Sequence, residues 1–550
     1  MKVGHTSKAL ALAAGLALSL AAHAGAAPAK APPELTPAAP DALTRALARG
    51  GLDEAEYALE RARSLVALAA VRREFGDVRK PDRRAGTLIF RDLLARLRFL
   101  SPSDRQEARA ILSRPTDSSL PNEHRYESDA ILAVTCDATR PLCFHWDERA
   151  ANRDSPAGAD GNPATVPAWV TTTMTVLANV WDTEIGSFGY RAPLADDDSA
   201  NDEGDGNLDI YLADLGGDSS PLFGYCTSDD PDAFAEWAIS AYCVLDDDYS
   251  QAQFGAGQTP QEFLEVTAAH EFFHASQFAY DFFEDLALME GTAMWMEGEV
   301  YPAVQDRINY LNRSALSNPG TPVDSGGGGF EYGAWLYWRF LSEKVFADRT
   351  PIREIWERAD GAAGGLDEYS FEAAKNVLTA HGENFRQAFA RFGWTNRLRD
   401  YSEGSLYPVA PSAAIYTFGL TRTTGWKSAK MRHLTTRFFR FRPGPNAPQT
   451  AMLHLSFDLP SLSYGAAATV ILYRKDGTTT VRPVNLGPSG GGGHNVSFGR
   501  STVKRVDLVL TSGSVRFNCP PKDFPFTIYS CGGSSKDENR SYVWRATMKG

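Results

Sequence analysis

The stretch Thr267-Ala-Ala-His-Glu-Phe-Phe-His-Ala-Ser-Gln277 constrains this 550-residue chain more than any other. His270 and His274 are four positions apart, so a helix sets both imidazoles on one face, one turn from each other. Two neutral imidazole nitrogens placed that way reach a single Zn²⁺ at about 2.0–2.1 Å each. Glu271 follows the first histidine, where a carboxylate serves as base toward water that the ion acidifies to a pKa of about 7. Phe263, Val266, Phe273 and Phe278 supply apolar surface, and Thr259-Pro260 supplies an N-cap with proline at the first helical position. The pattern predicts a rigid, buried helix starting near Pro260.

A zinc site needs a third protein ligand, and Glu290 is the candidate. It lies sixteen positions after His274, room for one helix to end and another to begin. Glu297, two helical turns further on, shares its face and is expected to accept the ring N–H of a ligating histidine. His270-Glu-x-x-His274 followed by Glu290-Gly-x-Ala-x-x-x-Glu297 resembles the gluzincin metallopeptidases, thermolysin-like and aminopeptidase N-like, with Met289 where the aminopeptidase signature has Asn. From about Cys143 to Leu341 the chain resembles a group of secreted bacterial metalloprotease-type proteins. That likeness rests on the zinc motif, on Trp181-Asp with Gly189-Tyr-Arg-Ala-Pro193, and on Gly204-Asp-Gly-Asn-Leu-Asp-Ile-Tyr-Leu212. The resemblance implies two His and one Glu on zinc and Glu271 as general base. It also makes Tyr332 of Phe330-Glu-Tyr-Gly333 a candidate for steadying the oxyanion, against its reading as an ordinary helix-start aromatic. The Gly-x-Met-Glu-Asn run by which aminopeptidases hold a free amine is absent, which favours cleavage inside polypeptides.

Export is the second strong expectation. Lys2 and Lys8 precede the apolar Ala9–Ala22 run, and Ala22-His-Ala24 offers a cleavage site, so residues 1–24 read as a signal peptide and the protein as secreted or periplasmic. Six cysteines in three near pairs, Cys136/Cys143, Cys226/Cys243 and Cys519/Cys531, predict three disulfides. No later segment is long and apolar enough for a membrane span. A formal charge of −13 argues against a nucleic-acid partner. Protein or peptide substrates and a monomer are the expectation.

Five prolines between residues 25 and 40 predict a flexible linker. From Asp41 to about Ser113 the pattern is helical, with a capping segment at Ser101, Asp104 and Gln106. This region reads either as a packing domain or as a prosegment covering the cleft. Ile131–Thr135 and Leu142–Trp146 predict a hairpin, and Pro167–Gly186 a helix. Asp196, Asp198, Asp202, Asp205, Asn207 and Asp209 crowd oxygen donors into fourteen residues, so the run reads as either a Ca²⁺ loop or a solvated acidic turn. Ile210–Ala213 follows as a strand and candidate substrate-binding edge. Gly326–Gly329 reads as a flexible loop, and 332–345 and 371–394 as helices. Beyond about Tyr407 short alternating runs such as Leu453-His-Leu-Ser-Phe457 predict a sheet buried on one face. Asp476-Gly477 is a hairpin turn and Gly490–Gly493 a flexible loop.

These features predict an α+β zincin-like catalytic domain with a mixed sheet, an active-site helix and an α-rich lower half. A helical N-terminal segment precedes it and a C-terminal antiparallel β-sandwich follows. The boundaries fall at 1–24, 25–120, 121–404 and 405–550. The expected activity is zinc-dependent endopeptidase; the competing reading is a non-catalytic exported binding or surface protein whose zinc site is degenerate or structural.

Overall fold

Side-chain caps punctuate the N-terminal part. Asp41 accepts the Thr44 N–H at the head of Ala42–Ala48 (α1), and Asp53 with Glu56 closes a reciprocal capping box on Glu54–Val66 (α2). Leu68–Phe75 (α3), Gly86–Leu94 (α4) and Pro102–Ile111 (α5) follow, α5 capped by Ser101 as expected. The computed structural model describes residues 40–117, 124–156, 160–162, 164–196, 205–216, 222–230, 237–419, 422–520 and 529–550. The expected leader, nearly all of the linker, Asp198, Asp202 and most of 524–529, one of the short strand-like runs expected beyond Tyr407, lie outside those residues.

Five strands form a mixed sheet: Leu132–Cys136 (β1), Leu142–Asp147 (β2), Leu208–Ala213 (β3), Gly224–Thr227 (β4) and Tyr242–Asp246 (β5), in the order β1-β2-β3-β5-β4. β2, β3 and β5 run parallel, while β1 and β4 are antiparallel edges. Every residue of β2 to β5 is buried, as befits strands covered on both faces. Ile210–Ala213 is therefore not an edge. It lies within β3, flanked by two parallel partners, and the edge beside the histidine helix is β4. Cys136–Cys143 and Cys226–Cys243 join residues directly opposite in β1–β2 and β4–β5, and Cys519–Cys531 is the third expected pair.

The helices that follow are Ala168–Trp181 (α6), Gln251–Phe254 (α7), Pro260–Phe278 (α8), Leu286–Val300 (α9), Phe330–Gly333 (α10), Trp335–Phe340 (α11), Thr350–Arg358 (α12), Ser370–Ala380 (α13) and Phe385–Leu398 (α14); α8 packs on β4 and β5, and α6 and α9 pack on α8. α6 ends in a π-helical turn over Asp182–Ser187, and Gly382 with positive φ splits the expected 371–394 helix in two. Gly329, the last residue of the glycine run before α10, packs on Arg313, whereas Gly327 and Gly328 face open space. A Cβ on Gly329 would meet Arg313 Nη1 at 2.3 Å, and φ is positive at Gly327, Gly328 and Gly329. No helix among the described residues is long and apolar enough to cross a membrane.

The C-terminal part holds Ala414–Phe418 (β6), Lys427–Met431 (β7), Thr435–Pro443 (β8), Met452–Asp458 (β9), Ala466–Arg474 (β10), Thr479–Pro483 (β11), Gly491–Ser497 (β12) and Val503–Ser512 (β13). Phe517–Asn518 (β14), Ser534–Ser535 (β15) and Arg540–Lys549 (β16) complete it. Sheets β11-β10-β13-β8-β6 and β12-β9-β16-β7 enclose a core containing Leu453, Leu455, Phe457, Val470, Leu508 and Trp544. Two expectations need correction. β6 pairs parallel with β8, because the chain visits β7 in the other sheet between them. Gly491–Gly493 is not a loop: it pairs with β9, and a side chain on Gly493 would press on the Leu455 carbonyl at 3.2 Å. The outer face of the first sheet packs on α14. Phe438, Ile471 and Val509 belong to the same core as Phe389 and Phe392, and Arg397 of α14 pairs with buried Asp507 of β13 at 2.8 Å.

Candidate metal centre

Two helices without a polar face carry the site, and every residue of Val266–Phe278 in α8 and of Ala287–Gly298 in α9 is buried. Thr259 caps α8 through a capping box with Glu262, and Asp285 caps α9 through the Ala287 and Leu288 N–H groups. Gly291 lets α9 approach Trp338, where a Cβ would meet the indole nitrogen at 2.5 Å; that nitrogen donates to the Ala287 carbonyl. Trp356 donates to the Thr292 hydroxyl and pins the next turn.

Across α8 and α9, three donor atoms converge. His270 Nε2 lies 3.1 Å from His274 Nε2 and 3.1 Å from Glu290 Oε2, and the third edge, His274 Nε2 to Glu290 Oε2, is 3.6 Å. A tetrahedral ion with bonds of about 2.0–2.1 Å holds its ligands about 3.3 Å apart, so the triangle has the size of one face of a zinc coordination sphere. The outer nitrogens are anchored: His270 Nδ1 to Glu297 Oε1 at 2.9 Å, and His274 Nδ1 to Gln277 Oε1 at 2.7 Å. An oxygen acceptor at Nδ1 puts the proton there and turns the Nε2 lone pair inward. Gln277 is fixed in turn by donating to the Met289 carbonyl and the Thr292 hydroxyl. His270, Glu271, His274 and Glu290 are all at most 1% exposed.

The electrostatics favour a cation. Burial pulls the His270 pKa down, but Glu290 and Glu297 outweigh it and hold it up at about 9. Burial likewise raises that of Glu290, and its hydrogen bonds with His270 and His274 outweigh it, leaving about 2. Glu290 Oε1 and Glu271 Oε1 are buried without a hydrogen-bond partner, acceptors that a bound ion or substrate would satisfy. Neutral nitrogen and carboxylate donors in this number suit zinc.

The N-terminal segment packs against the site. Thr87 of α4 donates through Oγ1 to Glu271 Oε2 at 2.7 Å and accepts the Cys226 N–H of edge strand β4 at 2.9 Å. The Phe223 N–H donates to the Arg83 carbonyl at 3.0 Å. Arg84, fully buried, pairs with Glu297 at 2.7 Å and with Asp306 at 2.6 Å. Gly86 packs so closely on β4 that a Cβ would lie 2.8 Å from Cβ of Tyr225. Arg83 and Thr87 thus accept one N–H from the edge strand beside the histidine helix and one from the residue just before it.

Of the residues expected at the site, the structure brings His270, His274, Glu290 and Glu297 into contact, with Glu271 beside His270 on α8. Tyr332 is buried in the field of Glu290, its ring 5.2 Å from Tyr310; burial first, then Glu290, pushes its phenol well above the usual range, so it stays a neutral donor. The acidic run is not gathered around a common point among the described residues. Asp196 and Asp209 are both ion-paired with buried Arg114, Asp209 also faces His145, and Asp205 accepts the Asn207 N–H. Thr87, Arg84 and Asp306 went unseen, having no local signal. Gln277 could have been found, because it sits one turn after His274.

No family model matches the chain, and no curated protein matches it. Among solved structures, the pre-peptidase C-terminal domain of collagenase from Bacillus anthracis is similar at 12% identity, over 25% of this chain and 97% of that chain, with TM-score 0.15. Aminopeptidase A of Legionella pneumophila in complex with aspartic acid is similar at 10% identity over 68% of this chain, with TM-score 0.31; the chain spans 36% of its length. A family GH115 4-O-methyl-alpha-glucuronidase is similar at 8% identity, over 66% of this chain and 53% of that chain, with TM-score 0.14. Two of these neighbours are peptidase-related. At these scores none carries a fold or an activity to this chain.

Proposed function

We propose that the chain is an exported zinc-dependent endopeptidase of gluzincin type acting on protein or peptide substrates. The observation that carries the reading is the triangle of His270 Nε2, His274 Nε2 and Glu290 Oε2, at 3.1, 3.1 and 3.6 Å, with Glu271 next to the first of them on the helix. His270, His274 and Glu290 would hold the ion. Bound zinc supplies Lewis-acid polarisation of a peptide carbonyl and of water. Glu271 Oε1, buried and unpartnered, is the atom that takes up a proton and returns it to the departing amine. Tyr332, kept neutral, is a hydrogen-bond donor for charge developing on the carbonyl oxygen. β4 is the antiparallel edge on which an extended peptide would pair. Three disulfides agree with an oxidising, extracytoplasmic location.

The contacts of Arg83, Gly86 and Thr87 favour latency as part of this reading: the N-terminal segment occupies the peptide's place until it is cut or displaced. The test is casein hydrolysis by the full chain before and after limited proteolysis, with zinc quantified, beside Glu271→Gln. Activity that appears on nicking in wild type alone, at equal zinc content, supports peptidase and latency together. A zinc-loaded chain inactive before and after nicking would leave the non-catalytic binding protein.

A further inference from the structure

Away from the histidines, the C-terminal ends of the parallel strands β3 and β5 bring together a second group of ligating side chains. Asp214 directly follows β3, Asp246 ends β5 and Asp247 follows it; one carboxylate oxygen from each lies within 4.8 Å of the others. Asp154 joins them from a loop, accepting the Asp214 N–H at 3.1 Å.

Clustered acids alone are common, and the decisive feature is Asp247. Its side chain is 4% exposed, yet its carboxylate has no hydrogen bond or ion pair among the described residues, while it points into the cluster. The charged groups acting on it most strongly are acids: Asp246, Asp248, Asp214 and Asp154. Asp154 Oδ2 is likewise buried without a hydrogen-bond partner, with Arg153 3.6 Å away as the nearby cation. Burial first pushes both Asp246 and Asp247 well above the usual carboxylate range; neighbouring acids add to it, and backbone hydrogen bonds only partly offset it at Asp246. Burying anions against one another without a counter-charge is costly.

The other members are held as ligands are held. Asp246 accepts the Leu215 N–H at 3.0 Å, the Asp248 N–H at 3.2 Å and the Tyr249 N–H at 2.6 Å. Asp214 accepts the Gly216 N–H at 3.0 Å and Gln253 Nε2 at 2.9 Å. Such donors fix carboxylate orientation before a metal arrives. The donors are all hard oxygens, with no imidazole or thiolate, a set unlike that of the histidine site and suited to a large divalent cation with flexible coordination.

We infer that Asp154, Asp214, Asp246 and Asp247 form a Ca²⁺ site that ties the ends of β3 and β5 together. It is distinct from the acidic run at 196–209 and independent of the peptidase reading. The ion replaces missing counter-charge in the layer next to β4, so it stabilises the edge of the cleft without touching the histidines.

The test uses the full zinc-loaded chain, dialysed against millimolar CaCl₂ or MgCl₂, with bound metal counted by mass spectrometry and thermal unfolding followed in parallel. Wild type should bind calcium at the Asp247 cluster and melt higher with calcium than with magnesium. Asp247→Asn, close to isosteric, should weaken calcium binding at least about tenfold while keeping zinc and the native circular dichroism; without calcium it should melt no lower than wild type. Asp205→Asn, in the other acidic run, should bind as wild type does. If Asp247→Asn does not fold, Asp214→Asn takes its place under the same criteria. No calcium on wild type, undiminished binding in the cluster variant, or loss in Asp205→Asn alone overturns the assignment.

Discussion

The Thr87 hydroxyl donates a 2.7 Å hydrogen bond to Glu271, joining residues 184 positions apart at the floor of the candidate metal centre. One oxygen of the residue best placed as base is thereby held by a helix that the sequence puts long before the motif. The same hydroxyl accepts the Cys226 N–H, so a single side chain couples the N-terminal segment to both the base and the edge strand.

Replacing Thr87 by Val keeps the shape and removes both bonds. Glu271 Oε2 loses its donor and the Cys226 N–H its acceptor, at a cost of about 1–3 kcal/mol. Urea unfolding monitored by fluorescence reads this directly; a change within about 0.5 kcal/mol would mean that the contact does not hold the segment down.

Gly86→Ala tests the same seam sterically. Its Cβ would sit 2.8 Å from Cβ of Tyr225, an atom of a fully buried side chain that has nowhere to go. Overpacking of this kind costs about 1–3 kcal/mol, more than the helix-propensity gain of alanine at a first-turn position. Trypsin should then cut within residues 80–100 faster than in wild type. Equal cutting rates would show that the seam yields without opening.

Glu297→Leu removes the acceptor that His270 Nδ1 needs, and one of the two carboxylates paired with Arg84. Zinc affinity should fall about 10–100-fold, as seen for groups that orient metal-binding histidines. Competition with a chromophoric chelator measures it, and wild-type affinity would assign Glu297 to Arg84 alone.

His433 predicts a pH dependence. It is buried between Asp324, 2.9 Å from Nε2, and Glu538. Burial lowers its pKa, but the two carboxylates raise it to about 9 from an ordinary 6.5. A raised folded-state pKa contributes stability in full below about pH 6.5, lost as pH climbs through about 9. The contribution is of order 3 kcal/mol. The stability gap between wild type and His433→Gln should therefore narrow between pH 6 and pH 10 in urea titrations. A constant gap would place the effect in packing.

What the sequence disclosed was mostly local. The caps at Ser101 and Thr259, the i,i+4 histidines and the two-residue alternation in β9 each act over a few residues, where propensity and periodicity decide structure. β4 escaped notice because four residues, Gly-Tyr-Cys-Thr, form a strand only when β5 is beside them. β12 escaped because glycine there reads as freedom until a neighbouring strand limits the space. The Arg84–Glu297 and Thr87–Glu271 contacts, and the isolation of Asp247, come from burial across distant segments, for which a single sequence has no periodic signature.

The shared face between α14 and the sheet containing β10 and β13 bears on how the chain melts. Gly393 lies so close to the sheet that a Cβ would meet the Thr511 methyl at 2.8 Å, and Phe389 and Phe392 are completely covered there. Releasing the strands would strip that cover and leave Arg397 and Asp507 without each other. The helical half and the strand-rich half should therefore lose structure in one cooperative calorimetric transition, and a chain stopped near residue 405 should expose a sticky apolar face rather than fold as an independent enzyme.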